Sequence, residues 1–257
     1  MVEVARQFGE VLVVAPDSPQ SAQGHAITIE TPVFVRESDV FGEGVKAYEC
    51  SGTPVDCVKL AKSVLLKGRT PDLCVSGINH GSNAAVNIIY SGTLSAAMEA
   101  SLEGIPSVGF SYLDYQADAD FGPCLPYVRH IIRHVLENGM AEGSLYNVNI
   151  PKVEDGGIRG LRVCRQANAR WVEEYVAGED PRGRPYYWLT GRFVNDDKRE
   201  DTDAKALQEG YVSLVPSHHD LTNHLALRSL KALEAEFQVA SQEETANGVG
   251  RQSLEQF

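Results

Sequence analysis

Two loops in this sequence gather neutral oxygen donors. The first, Ala15-Pro16-Asp17-Ser18-Pro19-Gln20-Ser21-Ala22-Gln23-Gly24-His25, follows an unbroken apolar run, and the second, Ser76-Gly77-Ile78-Asn79-His80-Gly81-Ser82-Asn83, closes another. Hydroxyls and side-chain amides, with glycines that let backbone approach a ligand, suit a hard divalent cation such as magnesium or manganese better than zinc. A third stretch, Tyr90-Ser91-Gly92-Thr93, stands directly before a helical pattern. Unsatisfied backbone N–H groups and the positive end of a helix dipole point out of such a loop, and a phosphate would fit there. Ordinary N-capping by Ser91 or Thr93 accounts for the same pattern.

Other candidates carry less chemistry. Ser107 in Ile105-Pro106-Ser107-Val108-Gly109 resembles a nucleophile elbow whose first glycine is replaced by isoleucine. His218-His219-Asp220 reads either as an acid-base cluster or as solvated loop polarity. His25 could act near a phosphate or serve as a hydrogen-bonded structural residue. Neither G-x-x-x-x-G-K-[ST] nor H-E-x-x-H occurs, which removes the commonest nucleoside triphosphatase and zinc-protease readings.

The elements that position these loops are legible from hydrophobic periodicity. Residues 11–15, 72–78, 106–110 and 145–150 read as strands buried on both faces. Between them, 54–66 carries a helical stripe at Val58, Ala61 and Leu65, with Ser51 and Thr53 as candidate caps, and 91–104 and 125–136 also read as helices. Strand and helix therefore alternate through residues 1–150, the pattern of an α/β, doubly wound, mostly parallel, Rossmann-like sheet. In such sheets ligands bind beyond the carboxyl ends of the strands, where the two oxygen-rich loops fall. The chain opens with a helix-like piece at 2–8 that feeds the strand at 11, so a preceding strand is expected upstream.

After Pro151 the texture changes. Trp171, Tyr175, Tyr186, Tyr187 and Trp188, interrupted by Gly178-Glu179-Asp180-Pro181-Arg182-Gly183, predict a long β-hairpin arm within 161–194. A return strand at 211–216 and a terminal helix at 225–239 complete a C-terminal part, 151–241, suited to oligomerisation, and 242–257 reads as a frayed tail.

Composition narrows the function classes. A formal net charge of −12 over 257 residues argues against duplex nucleic acid as a partner but leaves a small anion open, since that needs only local donors. Five scattered cysteines, an odd number without a C-x-x-C pair, fit a reducing compartment. With no signal-like or membrane-length apolar run, the expected location is the cytoplasm.

Taken in order, Val14-Ala15-Pro16-Asp17 with Ser21, Gly52-Thr53-Pro54-Val55-Asp56-Cys57-Val58, Ser76 to Asn83 and Tyr90-Ser91-Gly92-Thr93 resemble the signature blocks of the SurE family, the survival protein E 5'-nucleotidases. The resemblance continues through Arg165-Gln166, Tyr187-Trp188, Asp201-Thr202-Asp203, Glu209 to Ser213 and Leu221-Thr222-Asn223. It implies a metal-dependent phosphomonoesterase acting on nucleoside 5'-monophosphates, with 3'-nucleotides and short polyphosphate as further substrates. One divalent cation per subunit, magnesium or manganese, would be bound by Ser21 and Asn79. Asn83, Ser91, Gly92 and Thr93 would contact or position the phosphate, and the chain would assemble as a homodimer or homotetramer. The family's first strand ends in Asn-Asp-Asp-Gly, whose aspartates bind the metal, and nothing before Val11 matches it. Asn195-Asp196-Asp197-Lys198 imitates that text but reads as a surface turn. Ala85 stands where the family has glycine, and Asn87 where an acidic residue is usual. Without the aspartate pair the chain is expected to be impaired as a catalyst, and the alternative is a catalytically silent nucleotide-binding or scaffolding member of the same fold.

Overall fold

The computed structural model describes residues 1–153, 156–234 and 236–238. One compact unit spans Met1–His219 and a second begins at Asp220. In the first unit, a short helix α1 (Val2–Ala5) leads into β1 (Leu12–Pro16), followed by β2 (Val35–Ser38), β3 (Lys46–Cys50) and α2 (Pro54–Leu60), which runs on into one π-turn at Ala61–Leu65. Next come β4 (Cys74–His80), a 3-10 turn at Ala85–Tyr90, α3 (Gly92–Leu102), β5 (Ser107–Tyr112), α4 (Leu125–Asn138) and β6 (Ser144–Ile150). The unit ends with β7 (Leu161–Val163), the hairpin strands β8 (Ala169–Glu179) and β9 (Pro185–Asn195), α5 (Asp203–Gln208) and β10 (Val212–His218).

The strands form three sheets. In order β4-β5-β6-β10-β7, the main sheet is parallel across β4, β5 and β6, while β10 runs antiparallel to β6 and parallel to β7. A smaller sheet, β1-β3-β2, pairs β1 with β3 in parallel and β2 with β3 antiparallel, and β8-β9 is an isolated antiparallel ribbon. The expected α/β, mostly parallel, doubly wound character holds, with the sheet in two pieces. Each of β1 and β4 is paired along one edge only among the described strands.

Alternation along β5 explains how helices pack on both faces. Val108, Phe110 and Tyr112 point to the core that contains Val128, Ile131, Ile132 and Val135 of α4, spaced one turn apart so that a single stripe of that helix is buried. The opposite face carries Ser107, Gly109 and Ser111, small enough for α3 to lie close. Ser107 Oγ donates to the Ala97 carbonyl at 2.7 Å, and a Cβ built on Gly109 would stand 2.7 Å from Leu94 Cδ1. Ser107 is fully buried, so the nucleophile-elbow candidate is a packing residue.

Several boundaries differ from the periodicity reading. Strand β4 continues to His80, because Asn79 and His80 stay in register with Ser111 and Tyr112 of β5. Strands β2 and β3 were not legible as strands; β2 is exposed at three of its four positions, so hydrophobic pattern gives it no signal. The expected hairpin is split, with Leu161–Val163 joining the main sheet and only 169–195 forming the arm. At the arm's tip the Asp180 carboxylate accepts from the Arg182 and Arg184 backbone N–H groups and from Arg184 Nε. In the second unit the chain is helical over 224–234 and 236–238, with Asn223 Oδ1 capping the Leu225 and Ala226 N–H groups. The tail 242–257 lies outside the described residues. No described helix is long and apolar enough to cross a membrane.

Because Leu94 is fully buried against Gly109, Leu94→Ala is expected to lower the unfolding free energy by about 3 kcal/mol in urea titration. Gly109→Ala should also destabilise, and the double variant should cost less than the sum of the two, since the leucine that the new methyl strikes is gone.

Candidate active site

The carboxyl ends of β1 and β4 and the amino end of α3 open onto one cleft of about 1260 Å³. Its walls come from the loop after β1, the loop after β4, the start of α3 and, across the opening, the root of the hairpin. Ser21, Asn79, Asn83, Ser91, Gly92 and Thr93 all line it. Residues separated by more than seventy positions in the sequence thus meet at the ends of strands from two separate sheets.

The loop after β1 is held from behind. Asp56, in the first turn of α2, accepts from the Thr28 N–H at 3.1 Å, the Thr28 hydroxyl at 2.6 Å and the Thr53 N–H at 2.8 Å. Thr53 reciprocates as a capping box, its Oγ1 accepting the Asp56 N–H while its hydroxyl donates to the Ala26 carbonyl. Burial works to raise the Asp56 carboxyl, but the Thr28 and Thr53 donors outweigh it and hold the group below the ordinary aspartate range. His25 Nε2 meets Glu99 Oε2 at 2.9 Å, and Lys59 Nζ meets Glu99 Oε1 at 2.5 Å. Burial also works to raise Glu99, and those two partners keep it low. The structural reading of His25 therefore holds, and His25 does not line the cleft.

A buried amide network holds the loop after β4. Asn83 N–H donates to Asn149 Oδ1, Asn149 Nδ2 to Asn147 Oδ1, and Asn147 Nδ2 back to the Asn83 carbonyl, at 2.8, 2.8 and 2.9 Å. The Asn83 amide nitrogen donates to Ser111 Oγ, so that N–H group is engaged in the interior. Asn79 spends its amide nitrogen on the His80 and Gly81 carbonyls and keeps Oδ1 near the Thr93 hydroxyl, 3.5 Å away. Ala85, where glycine was expected, has φ +52°, the left-handed region that glycine enters without cost. Its N–H donates to Asp203 Oδ2, and Asp203 Oδ1 accepts from Ala167 and Ala204. Burial pushes the Asp203 carboxyl up against the pull of those N–H groups.

At the start of α3, Ser91 Oγ accepts the Leu94 N–H at 3.1 Å, so the capping reading of Ser91 is realised while the helix end still faces the cleft. Gly92 is required for close approach there: a Cβ would stand 3.0 Å from Pro54 Cγ. His218-His219-Asp220 contributes nothing to the cleft lining, and in Asn195-Asp196-Asp197-Lys198 the first residue ends β9 while Asp197 accepts the Asn168 and Arg199 N–H groups. Sequence reading gave no role to Asp56, Glu99, Asp203, Asn147 or Asn149, although Asp56 and Asp203 fall within the blocks that carry the resemblance. Thr53 followed by Asp56 is a capping-box signal, and two asparagines at period two in an otherwise apolar strand mark polar groups facing one interior side. Asp203 has no local signal, since its partner Ala85 is 118 positions away.

The fit to a cation is incomplete. Ser21 and Asn79 are neutral, Asp17 and Glu173 are the carboxylates on the cleft wall, and no group of three His, Cys, Asp or Glu side chains able to hold a metal occurs among the described residues. A hard dication needs more negative charge than this set supplies.

These features define a doubly wound α/β protein whose ligand cleft lies beyond its strand ends and is opened by a helix N-terminus. The family pattern of Survival protein SurE matches residues 1–173. A protein of Christiangramia forsetii named 5'-nucleotidase SurE is 55% identical over 233 residues, covering 90% of this chain and 89% of that protein. Another of the same name from Cytophaga hutchinsonii is 55% identical over 230 residues, covering 90% and 88%. The crystal structure of the SurE protein from Aquifex aeolicus superposes with a TM-score of 0.75 at 38% identity, over 90% of this chain and 92% of that one. The chain belongs to the SurE family.

Asp56→Asn would turn one accepting oxygen into a donor facing donors, and is expected to cost about 2 kcal/mol in chemical denaturation at neutral pH. A carboxylate depressed on folding stabilises above its unfolded value, and that contribution is lost as the pH falls through its folded one. The gap between wild type and variant should therefore narrow on acidification below the ordinary aspartate range.

Proposed function

We propose that this chain binds nucleoside 5'-monophosphates and that its fold hydrolyses their phosphate ester. The observation that carries the reading is the meeting of Ser21, Asn79 and the start of α3 on one cleft, in a chain 55% identical to proteins named 5'-nucleotidase SurE. In this reading the phosphate sits at the first turn of α3, where backbone N–H groups and the dipole meet its oxygens, and the Thr93 hydroxyl adds a side-chain donor. Ser91 holds that turn open by capping Leu94, and Gly92 lets the helix end approach without a side chain in the way. Asn83 positions the loop, since its backbone N–H and carbonyl are taken by Asn149 and Asn147. The same chemistry accommodates 3'-nucleotides and short polyphosphate.

The reading includes one divalent cation per subunit, magnesium or manganese, with Ser21 and Asn79 among its ligands. These residues do not fit the ion unaided, and the remaining charge has to come from carboxylates outside this set. Homodimeric or homotetrameric assembly through the hairpin is part of the proposal, supported by Tyr175, Tyr187 and Trp188, each about two-thirds exposed on a bare two-stranded ribbon. The domain division at 150, the cytoplasmic setting and the nucleoside monophosphate partner belong to the same reading.

The test compares phosphate release from AMP, with magnesium or manganese, by the 257-residue chain and by one extended before Met1 with an apolar strand ending in Asn-Asp-Asp-Gly. The extended chain should turn over faster by a factor on the order of a thousand, since a bound cation supplies several kcal/mol of charge stabilisation. Equal, background rates from both would refute the phosphatase reading, and rapid turnover by the shorter chain would refute its impairment.

A further inference from the structure

We infer that Trp171 and Tyr115 form the wall that receives the nucleobase, an inference resting on the nucleotide reading above. Both residues line the cleft while remaining open to solvent, Trp171 at 43% and Tyr115 at 75% exposure. Neither is loose. Trp171 Nε1 donates to Asn87 Oδ1 at 2.7 Å, Asn87 Nδ2 donates to the Ser82 carbonyl at 3.3 Å, and the Ser82 N–H donates to the Tyr115 hydroxyl at 3.3 Å. One line of hydrogen bonds thus runs from the indole, through the loop after β4, to the phenol.

Packing fixes the rings further. Trp171 meets Phe193 edge to face, with centroids 5.6 Å apart. Tyr115 lies on Gly81, where a Cβ would stand 2.5 Å from Tyr115 Cε1. Large apolar rings held in place yet uncovered are the arrangement of a stacking platform, which lowers the entropy lost when a flat ligand lands on it. Ser82, which the line of hydrogen bonds passes through, follows Asn79 by three residues, and both rings line the same cleft as Asn79, Gly92 and Thr93. A nucleotide in that cleft would set its phosphate at α3 and its base at the rings. Stacking needs only a π-face, so the wall accepts purines and pyrimidines alike.

Trp171 and Trp188 are the two tryptophans of the chain, so Trp188→Phe leaves Trp171 as sole reporter. Adenosine, which carries no phosphate, should quench that fluorescence saturably, and ribose 5-phosphate should not. By calorimetry, Trp171→Leu should weaken adenosine and AMP binding about tenfold or more and leave ribose 5-phosphate unchanged, while Trp171→Phe keeps most of the affinity. Unchanged fluorescence with adenosine, or AMP binding undiminished in Trp171→Leu, would overturn the inference. Background phosphate release by the extended chain with the adenosine quench intact would count against the phosphatase reading and leave the wall standing.

Discussion

Asp56, Glu99 and Asp203 each bury a carboxylate behind the cleft and bond it to a segment that forms the cleft wall. A buried carboxylate without donors is costly, so each of these groups forces the chain that donates to it into one conformation. Asp56 fixes the return of the loop carrying Ser21, Glu99 clips His25 of the same loop to α3 and Lys59 of α2, and Asp203 ties the turn at Ala85 to the root of the hairpin. None of the three lines the cleft. Their charge is spent on geometry, and the carboxylates on the cleft surface itself are Asp17 and Glu173.

The same economy runs through the centre of the sheet. One face of β5 is made of Val108, Phe110 and Tyr112 and joins the main core, while the other is Ser107, Gly109 and Ser111 and lets α3 come close. At the carboxyl end of that small-residue face, Ser111 accepts from Asn83, and Asn147 and Asn149 of β6 close the ring. Packing below and a satisfied polar network above are therefore continuous along one strand face, and the network ends where the cleft begins. Asn83 is fixed by partners on two different strands, which is how a loop between β4 and α3 can hold a defined shape.

Much of this was legible in the residues. Apolar runs marked β1, β4, β5 and β6, but only β5 and most of β6 are buried on both faces, while β1 and β4 are partly covered. Placing loops at strand ends singled out the loops after β1 and β4, the family resemblance picked Ser21 and Asn79 within them, and one cleft contains both together with the start of α3. Illegible parts share a cause: their partners lie far away in sequence or their pattern is not hydrophobic. Strand β2 exists because Val35 to Ser38 pair with β3, though it buries little. The role of Asp203 depends on Ala85 and Ala167, and that of Trp171 on Asn87, 84 positions earlier. A preference for glycine at 85 became intelligible only as a backbone angle.

The account stands on one claim, that the first turn of α3 and the end of β4 together receive a phosphate. Amide nitrogen NMR of the full chain, titrated with inorganic phosphate, reads this directly. Saturable shifts at the N–H groups of Gly92 and Thr93 and at the Asn79 side chain, with the rest of the spectrum still, are the predicted result. Shifts that never saturate, or that fall on Lys and Arg of the outer surface while Gly92 and Thr93 stay fixed, would contradict it.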